Sequence, residues 1–259
     1  MMRILFTICG RAGSKGLRNK NLKKLSGVSL AYYSLAAIQC YHERRPMDDI
    51  LVAINTDSKD LKNIFRQQKT LPVTFVERKE ELAGDTVAKV AVIQDTYMRL
   101  ADWEPELIID LDITSPCRRP KDLESIIDIW SDGDYDLVFS VVPARRSPYF
   151  NMVEQKEDGY YRKISKSAFT TRQQTPRSYE MNASIYAYSP AFLSGQIEKT
   201  ILDYRCGISV MPDFLVLDID SEEDFEMMQY LHKYYCAKEP GLREVFQTAK
   251  KIELDSGKM

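Results

Sequence analysis

Short apolar runs alternate with helix-spaced segments from Arg3 to Val142, and that rhythm leaves few folds open. "RILFTIC", "DDILVAINT", "PVTFVE", "ELIIDLDI" and "DLVFSVV" read as strands. They are short and apolar on both faces, as strands covered on two sides are. Between them "SLAYYSLAAIQCY", "SKDLKNIFRQQ", "DTVAKVAVIQDTYMRLA" and "RPKDLESIIDIWSD" carry helical spacing. Ser58 is the expected cap of the second helix, and Pro120 sits in the first turn of the fourth. Strands alternating with helices predict an α/β fold in three layers, with a mostly parallel sheet. Such sheets bind ligands at the carboxyl ends of their strands.

The rhythm breaks between Pro143 and Met181. "FNMVEQ", a polar turn at 156–159 and "YYRKIS" predict a hairpin, and "FTTRQQTPRSYEMN" predicts an extended, Arg-rich stretch. This span reads as an insertion. "ASIYAYS" and "DFLVLDID" then resume the sheet. "SEEDFEMMQYLHKYY" opens as a helix on a capping box of Ser221 and Asp224. The stretch after Lys238 is polar and predicts a fraying tail.

A net charge of −2 gives no global basic field, so nucleic acid is not the expected partner and any anion site must be local. The 5 cysteines are scattered without metal-ligand spacing, which predicts reduced thiols and a cytoplasmic protein. No run reaches membrane-spanning length, and the apolar stretch in "MMRILFTICGR" is too short for a signal peptide.

"ICGRAGSKGLRNKN" follows the first strand. Its glycines allow backbone N–H groups to converge on an anion, and Arg11, Lys15, Arg18 and Lys20 add charge. The spacing fits neither a Walker loop nor a dinucleotide fingerprint. Composition leaves two readings, a phosphate cradle and a solvated basic turn. "LDID" leaves two as well. Asp218 and Asp220 stand two apart, so on a strand both carboxylates face one cation; alternatively the pair caps the next helix.

Five motifs, in order, carry a resemblance. They are "GRAGSKGLRNKN", "ERKEELAGDT", "LDITSPCR", "TRQQTPRSYEMNASIYAY" and "LDIDSEEDF". Together they resemble the acylneuraminate cytidylyltransferases, the CMP-sialic acid synthetase family, over about residues 3–235. Gly10 replaces that family's usual Ala before Arg11. The resemblance implies a Rossmann-like nucleotidyltransferase that couples CTP to a nine-carbon 2-keto sugar acid and releases pyrophosphate. It implies one domain over 1–238, with 143–181 inserted as a sugar-binding and dimerisation arm, then a tail over 239–259.

The resemblance places Arg11, Ser14, Lys15, Gly16 and Lys20 on the triphosphate and Asn21 on the nucleotide. It places Arg78, Asp85 and Thr86 on the cytidine side. Asp218 and Asp220 become Mg²⁺ ligands, and Arg11, Lys20, Asp218 and Asp220 the catalytic set. Arg172 and Asn182 match the family's sugar segment. Asp112 stands where the sialic branch has Gln, Phe150 where it has Lys, and Glu180 where it has Arg. Arg145 and Arg146 are either replacement carboxylate binders or an exposed charged turn. These departures resemble the CMP-legionaminic acid synthetase branch, with CMP-sialic acid synthesis as the alternative. A sugar-1-phosphate or KDO-type transferase, or a non-catalytic nucleotide binder, is the further alternative. The apolar residues of the inserted hairpin imply a homodimer.

Overall fold

The computed structural model describes residues 1–13 and 16–257. The chain opens with β1 (Arg3–Cys9), the basic loop and a small hairpin of β2 (Lys24–Leu25) and β3 (Val28–Ser29). Then α1 (Leu30–Arg44), β4 (Asp49–Thr56), α2 (Lys59–Gln67), β5 (Thr74–Glu77), α3 (Lys89–Leu100), β6 (Leu107–Leu111), α4 (Pro120–Ser131) and β7 (Leu137–Pro143) follow in alternation. Ser58 caps α2 by accepting from the Leu61 amide, as expected.

The inserted span holds a separate hairpin, β8 (Val153–Gln155) with β9 (Tyr161–Lys163). The chain returns through β10 (Tyr179–Tyr188), α5 (Pro190–Ser194), β11 (Cys206–Val210), α6 (Glu222–Lys238) and α7 (Pro240–Ser256). The main sheet has 7 strands in the order β11-β7-β10-β6-β1-β4-β5. β10 runs antiparallel to both neighbours, and the other pairings are parallel.

Both faces of the sheet are covered. Ile4, Phe6 and Ile8 of β1 pack with α1, α2, α4, α6 and α7. Leu5 and Cys9 point the other way, toward α3 and α5. Burial on both sides is what made the strands read as continuous apolar runs.

Two expectations are corrected. "DFLVLDID" is not a strand: it forms a short 3₁₀ turn, Asp213–Leu215, then a segment without regular secondary structure. The edge place belongs to β11, which pairs with β7. Nor does the stretch after Lys238 fray. It forms α7, with Leu242, Val245, Ala249 and Ile252 buried in the core. Its polar residues face out, and its apolar stripe recurs at helical spacing.

Candidate active site

The loop after β1 is shaped by its own residues. Gly10 keeps the sheet's direction by donating to the Asn55 carbonyl at 3.1 Å. Gly13 adopts a left-handed φ of 71°, open to glycine without a Cβ penalty. The Ala12 amide donates to Asp57 at 2.8 Å, and the Asn21 side-chain amide donates to the Arg11 carbonyl at 3.1 Å. Lys20 reaches across the molecule, with Nζ 2.9 Å from Asp220 Oδ1 and 3.2 Å from the Ile219 carbonyl. Gly16 lies against the same segment: a Cβ there would sit 2.5 Å from the Asp220 carbonyl oxygen. Arg11 is paired with Asp85. Ser14 and Lys15 lie outside the described residues.

The carboxyl end of β6 supplies the acidic wall. Asp110 is fully buried and takes a 2.8 Å hydrogen bond from Thr7 Oγ1. Asp112 accepts from the Thr114 amide at 3.0 Å and from its hydroxyl at 2.9 Å. Lys89, first residue of α3, places Nζ 2.6 Å from Asp110 Oδ2 and 2.6 Å from Asp112 Oδ2. Burial works against the charge of Asp112, but Lys89 and the Thr114 bonds outweigh it and hold the carboxyl at about 2. The same two carboxylates outweigh burial at Lys89 and raise its pKa.

Asp218 sits across from this wall. It accepts from Ser115 Oγ at 3.1 Å and from the Ile219 amide at 2.9 Å. Burial raises its pKa, and the charge of Asp112 raises it further. Beneath, Arg118 is fully buried and donates to Ser34 at 3.0 Å, to Ser184 at 3.2 Å and to the Ser115 carbonyl at 2.6 Å. It also donates to the Asp112 carbonyl. Burial pushes its guanidinium down to about 10. Arg118 thus ties the β6 end to the turn that carries Ser115.

Arg11, Lys20, Asn21, Arg78, Asp85, Asp112 and Asp218 line one cleft of about 200 Å³, together with Lys89. Arg78 is buried, and Nε donates to Asn55 Oδ1 at 2.9 Å. Thr86 is exposed and does not line the cleft. Asp220 is 74 % exposed and reaches the site through Lys20. Asp218 and Asp220 belong to an irregular segment rather than a strand, and the capping of α6 is done by Ser221 and Asp224.

The Arg-rich span lies apart. Arg145, Arg146 and Arg172 line a second hollow of about 750 Å³ with Arg177. It shares no lining residue with the cleft. Arg145 is held by Asp213 at 2.6 Å, and its amide donates to Glu180 at 3.0 Å. Arg172 donates to the Arg145 carbonyl at 2.5 Å. Asn182 is 1 % exposed and faces neither space. It bonds Ser140 at 2.6 Å and the Leu215 carbonyl at 3.0 Å, where the β10 register shifts and Ala183 takes a φ of 52°. Its amide holds the bulge rather than an open surface.

Sequence reasoning missed Lys89, Asp110, Asn55, Ser115 and Arg118. One signal was present. "IIDLDI" repeats the Asp-x-Asp spacing of "LDID", and two carboxylates on one face of a strand end call for a counter-charge.

Residues 5–251 match the model of the cytidylyltransferase family. The chain is 35% identical over 236 residues to post-translational flagellin modification protein B of Campylobacter coli, covering 90% of this chain and 96% of that one. It is 35% identical over 234 residues to CMP-N,N'-diacetyllegionaminic acid synthase of Campylobacter jejuni, covering 89% and 95%. It is 26% identical over 227 residues to an N-acylneuraminate cytidylyltransferase of Streptococcus agalactiae, covering 86% of this chain and 52% of that one. Among solved structures, a CMP:2-keto-3-deoxy-manno-octonic acid synthetase complexed with CTP superposes with a TM-score of 0.65 at 15% identity. It covers 90% of this chain and 99% of that one, a likeness of fold.

Proposed function

The chain belongs to the cytidylyltransferase family, and on that premise we propose that it couples CTP to a nine-carbon 2-keto sugar acid of the legionaminic type, releasing pyrophosphate. It is a nucleotidyltransferase. The observation that carries the sugar-acid reading is the cleft itself. Cations from the β1 loop and carboxylates from β6 and the 218–220 segment converge at the carboxyl ends of the strands.

Arg11 and Lys20, with the loop through Ser14, Lys15 and Gly16, hold the triphosphate. Each of the two cations is now matched to a carboxylate, Asp85 and Asp220, that the phosphates displace. Asn21 fixes the loop's curvature, and Arg78, Asp85 and Thr86 take the cytidine side. Positioning is the main task, because the anomeric hydroxyl must reach the α-phosphorus in line.

The acidic residues fit Mg²⁺. Asp218 is a largely buried carboxylate with a raised pKa and has no ion pair among the described residues. All-oxygen donors suit this cation, which keeps waters and takes one or two carboxylates plus phosphate oxygens. Asp218 would hold it, with Asp220 beside it. Bound there, Mg²⁺ would neutralise charge on the reacting phosphate. Asp112, at about 2, stays ionised at neutral pH and serves as a hydrogen-bond acceptor for the sugar, not as a proton store. Arg145, Arg146, Arg172 and Glu180 line or border the second hollow, which lies apart from the cleft within one copy of the chain; they are assigned to the sugar acid through the inserted arm, with Asn182 supporting that wall from behind.

The arm exposes Met152, Val153, Tyr160, Tyr161 and Ile164. A hairpin with that much apolar surface is best explained by a second copy over it, so the working form is a homodimer. Light scattering tests this; an active monomer at working concentration overturns it. Among the described residues no helix is long and apolar enough to cross a membrane, and the place of action is the cytoplasm, where CTP is made.

The experiment is pyrophosphate release from CTP and Mg²⁺ with legionaminic, N-acetylneuraminic, pseudaminic and KDO acids, each with an EDTA control. Preference for legionaminic acid supports the reading. Preference for N-acetylneuraminic acid assigns CMP-sialic acid synthesis instead. Silence on all four refutes the sugar-acid reading.

A further inference from the structure

Lys89 is the one cation of the cleft that no sequence motif placed. Its neighbours are arranged about it with local symmetry. Asp110 and Asp112 each give one oxygen to a threonine, Thr7 or Thr114, and each sets the other 2.6 Å from Lys89 Nζ, where Asp112 accepts its hydrogen bond. An ammonium has three N–H donors. One is given to Asp112 Oδ2, while Asp110 Oδ2 stands 2.6 Å away as an ion-pair partner. The side chain is 34% exposed and lines the cleft, so it keeps donor capacity for what the cleft binds.

Asp110 is buried on β6 and does not line the cleft; Asp112 does. Lys89 therefore links an anchored carboxylate to a ligand-facing one. A glutamine at position 112 would leave Lys89 with a single carboxylate partner, and a methionine at 89 would leave Asp112 without its ion pair. The acidic residue at 112 and the lysine at 89 are thus one unit.

We propose that Lys89 is a positioning residue for sugar selection: it fixes the Asp112 carboxylate at the cleft wall and turns its own remaining N–H toward the bound acid, so the sugar is read by the Lys89–Asp112 pair. This rests on the sugar-acid reading above.

Lys89→Met alone would strand Asp110 as a buried charge, and such variants can fail to fold for that reason. It is therefore combined with Asp110→Asn, which can keep a hydrogen bond to Thr7. Five variants are compared with the wild type at saturating CTP: D110N, D110N/K89M, D112Q, the triple variant and K89R. The readouts are kcat and KM for legionaminic and N-acetylneuraminic acids, KM for CTP, and Tm.

D110N is expected to keep the wild-type ratio between the two acids, because Lys89 still holds Asp112. D110N/K89M and D112Q should each raise the KM for the preferred acid by about tenfold, the scale of one lost polar contact, with KM for CTP within about twofold. The triple variant should be no worse than either, since both changes break one unit. Lys89→Arg should recover part of the ratio. A D110N/K89M protein that melts lower yet keeps the ratio makes Lys89 purely structural and overturns the proposal. So do effects that multiply in the triple variant. A wild type that prefers N-acetylneuraminic acid overturns the legionaminic assignment alone, and the same coupling is then read with that acid. A wild type silent with every sugar acid overturns both.

Discussion

Lys20 Nζ lies 2.9 Å from Asp220 Oδ1, joining the glycine loop to a segment 200 residues further along the chain. The pair is half open to solvent, with Asp220 74 % exposed, so its own stabilisation is at most about 1 kcal/mol. Its position matters more than its strength. On the function proposed above, it stores the ammonium beside the place assigned to the triphosphate.

Lys20→Met is therefore expected to cut kcat/KM for CTP by about 100-fold or more, the scale of losing one preorganised charge donor. Thermal stability should barely change. Pyrophosphate release and a melting curve on the same preparation check both. A variant with normal turnover and a lowered Tm would show that Lys20 is only a strut.

Two glycines in the loop separate shape from packing. At Gly16 a Cβ would meet the Asp220 carbonyl at 2.5 Å, and backbone cannot yield cheaply. At Gly10 a Cβ would meet Leu61 Cδ2 at 2.5 Å, Ile113 Cδ1 at 3.0 Å and Asn21 Nδ2 at 3.3 Å, all side-chain ends. Gly16→Ala should push the loop off the 218–220 segment and lower kcat/KM for CTP by about tenfold. Gly10→Ala should cost about 1 kcal/mol of stability as Leu61 adjusts, and leave KM for CTP within about twofold. The reverse ranking in CTP kinetics would contradict the close approach at Gly16.

What the sequence disclosed followed from burial. Strands covered on both faces, such as β1, show as unbroken apolar runs, and caps such as Ser58 show by type and place. Hydrogen bonding is less visible. "DFLVLDID" is apolar yet has no ladder, whereas β11 reads poorly because Gly207 fits under Tyr135 and Val138 and shows no apolar side chain. The reversed direction of β10 leaves no mark in an apolar pattern. The site divided similarly. The β1 loop was legible because glycine and basic residues cluster in sequence, but Lys89 and Asp112 meet only when α3 folds onto the end of β6.

The last helix shows how average polarity hides a stripe. Ile252 is 1% exposed, and Glu253 accepts from the Ser29 amide at 2.9 Å, locking α7 to the β2–β3 hairpin. Ile252→Ala should cost about 2–5 kcal/mol through lost burial and the cavity left behind. Urea titration should show a lower midpoint with an unchanged slope. An unchanged midpoint would mean that α7 is not part of the folded core.

His232 offers a pH test of that same packing. It is 3% exposed, between the rings of Tyr33 and Phe246, at centroid distances of 5.4 and 4.9 Å. Nδ1 shares a 2.9 Å hydrogen bond with Ser26 Oγ, and Nε2 lies 3.3 Å from Cys236 Sγ. Burial disfavours the charged ring and lowers its pKa to about 4. The unfolded chain takes up the proton near pH 6.5, while the folded chain refuses it until about 4. Stability from this group is thus complete above pH 6.5 and falls as the pH drops toward 4. Between pH 7.5 and 5 the wild type should lose roughly 2 kcal/mol more than His232→Gln, since the carboxylate background is common to both. Unfolding free energies at the two pH values measure the difference, and parallel losses would mean that the ring is protonated in the folded protein.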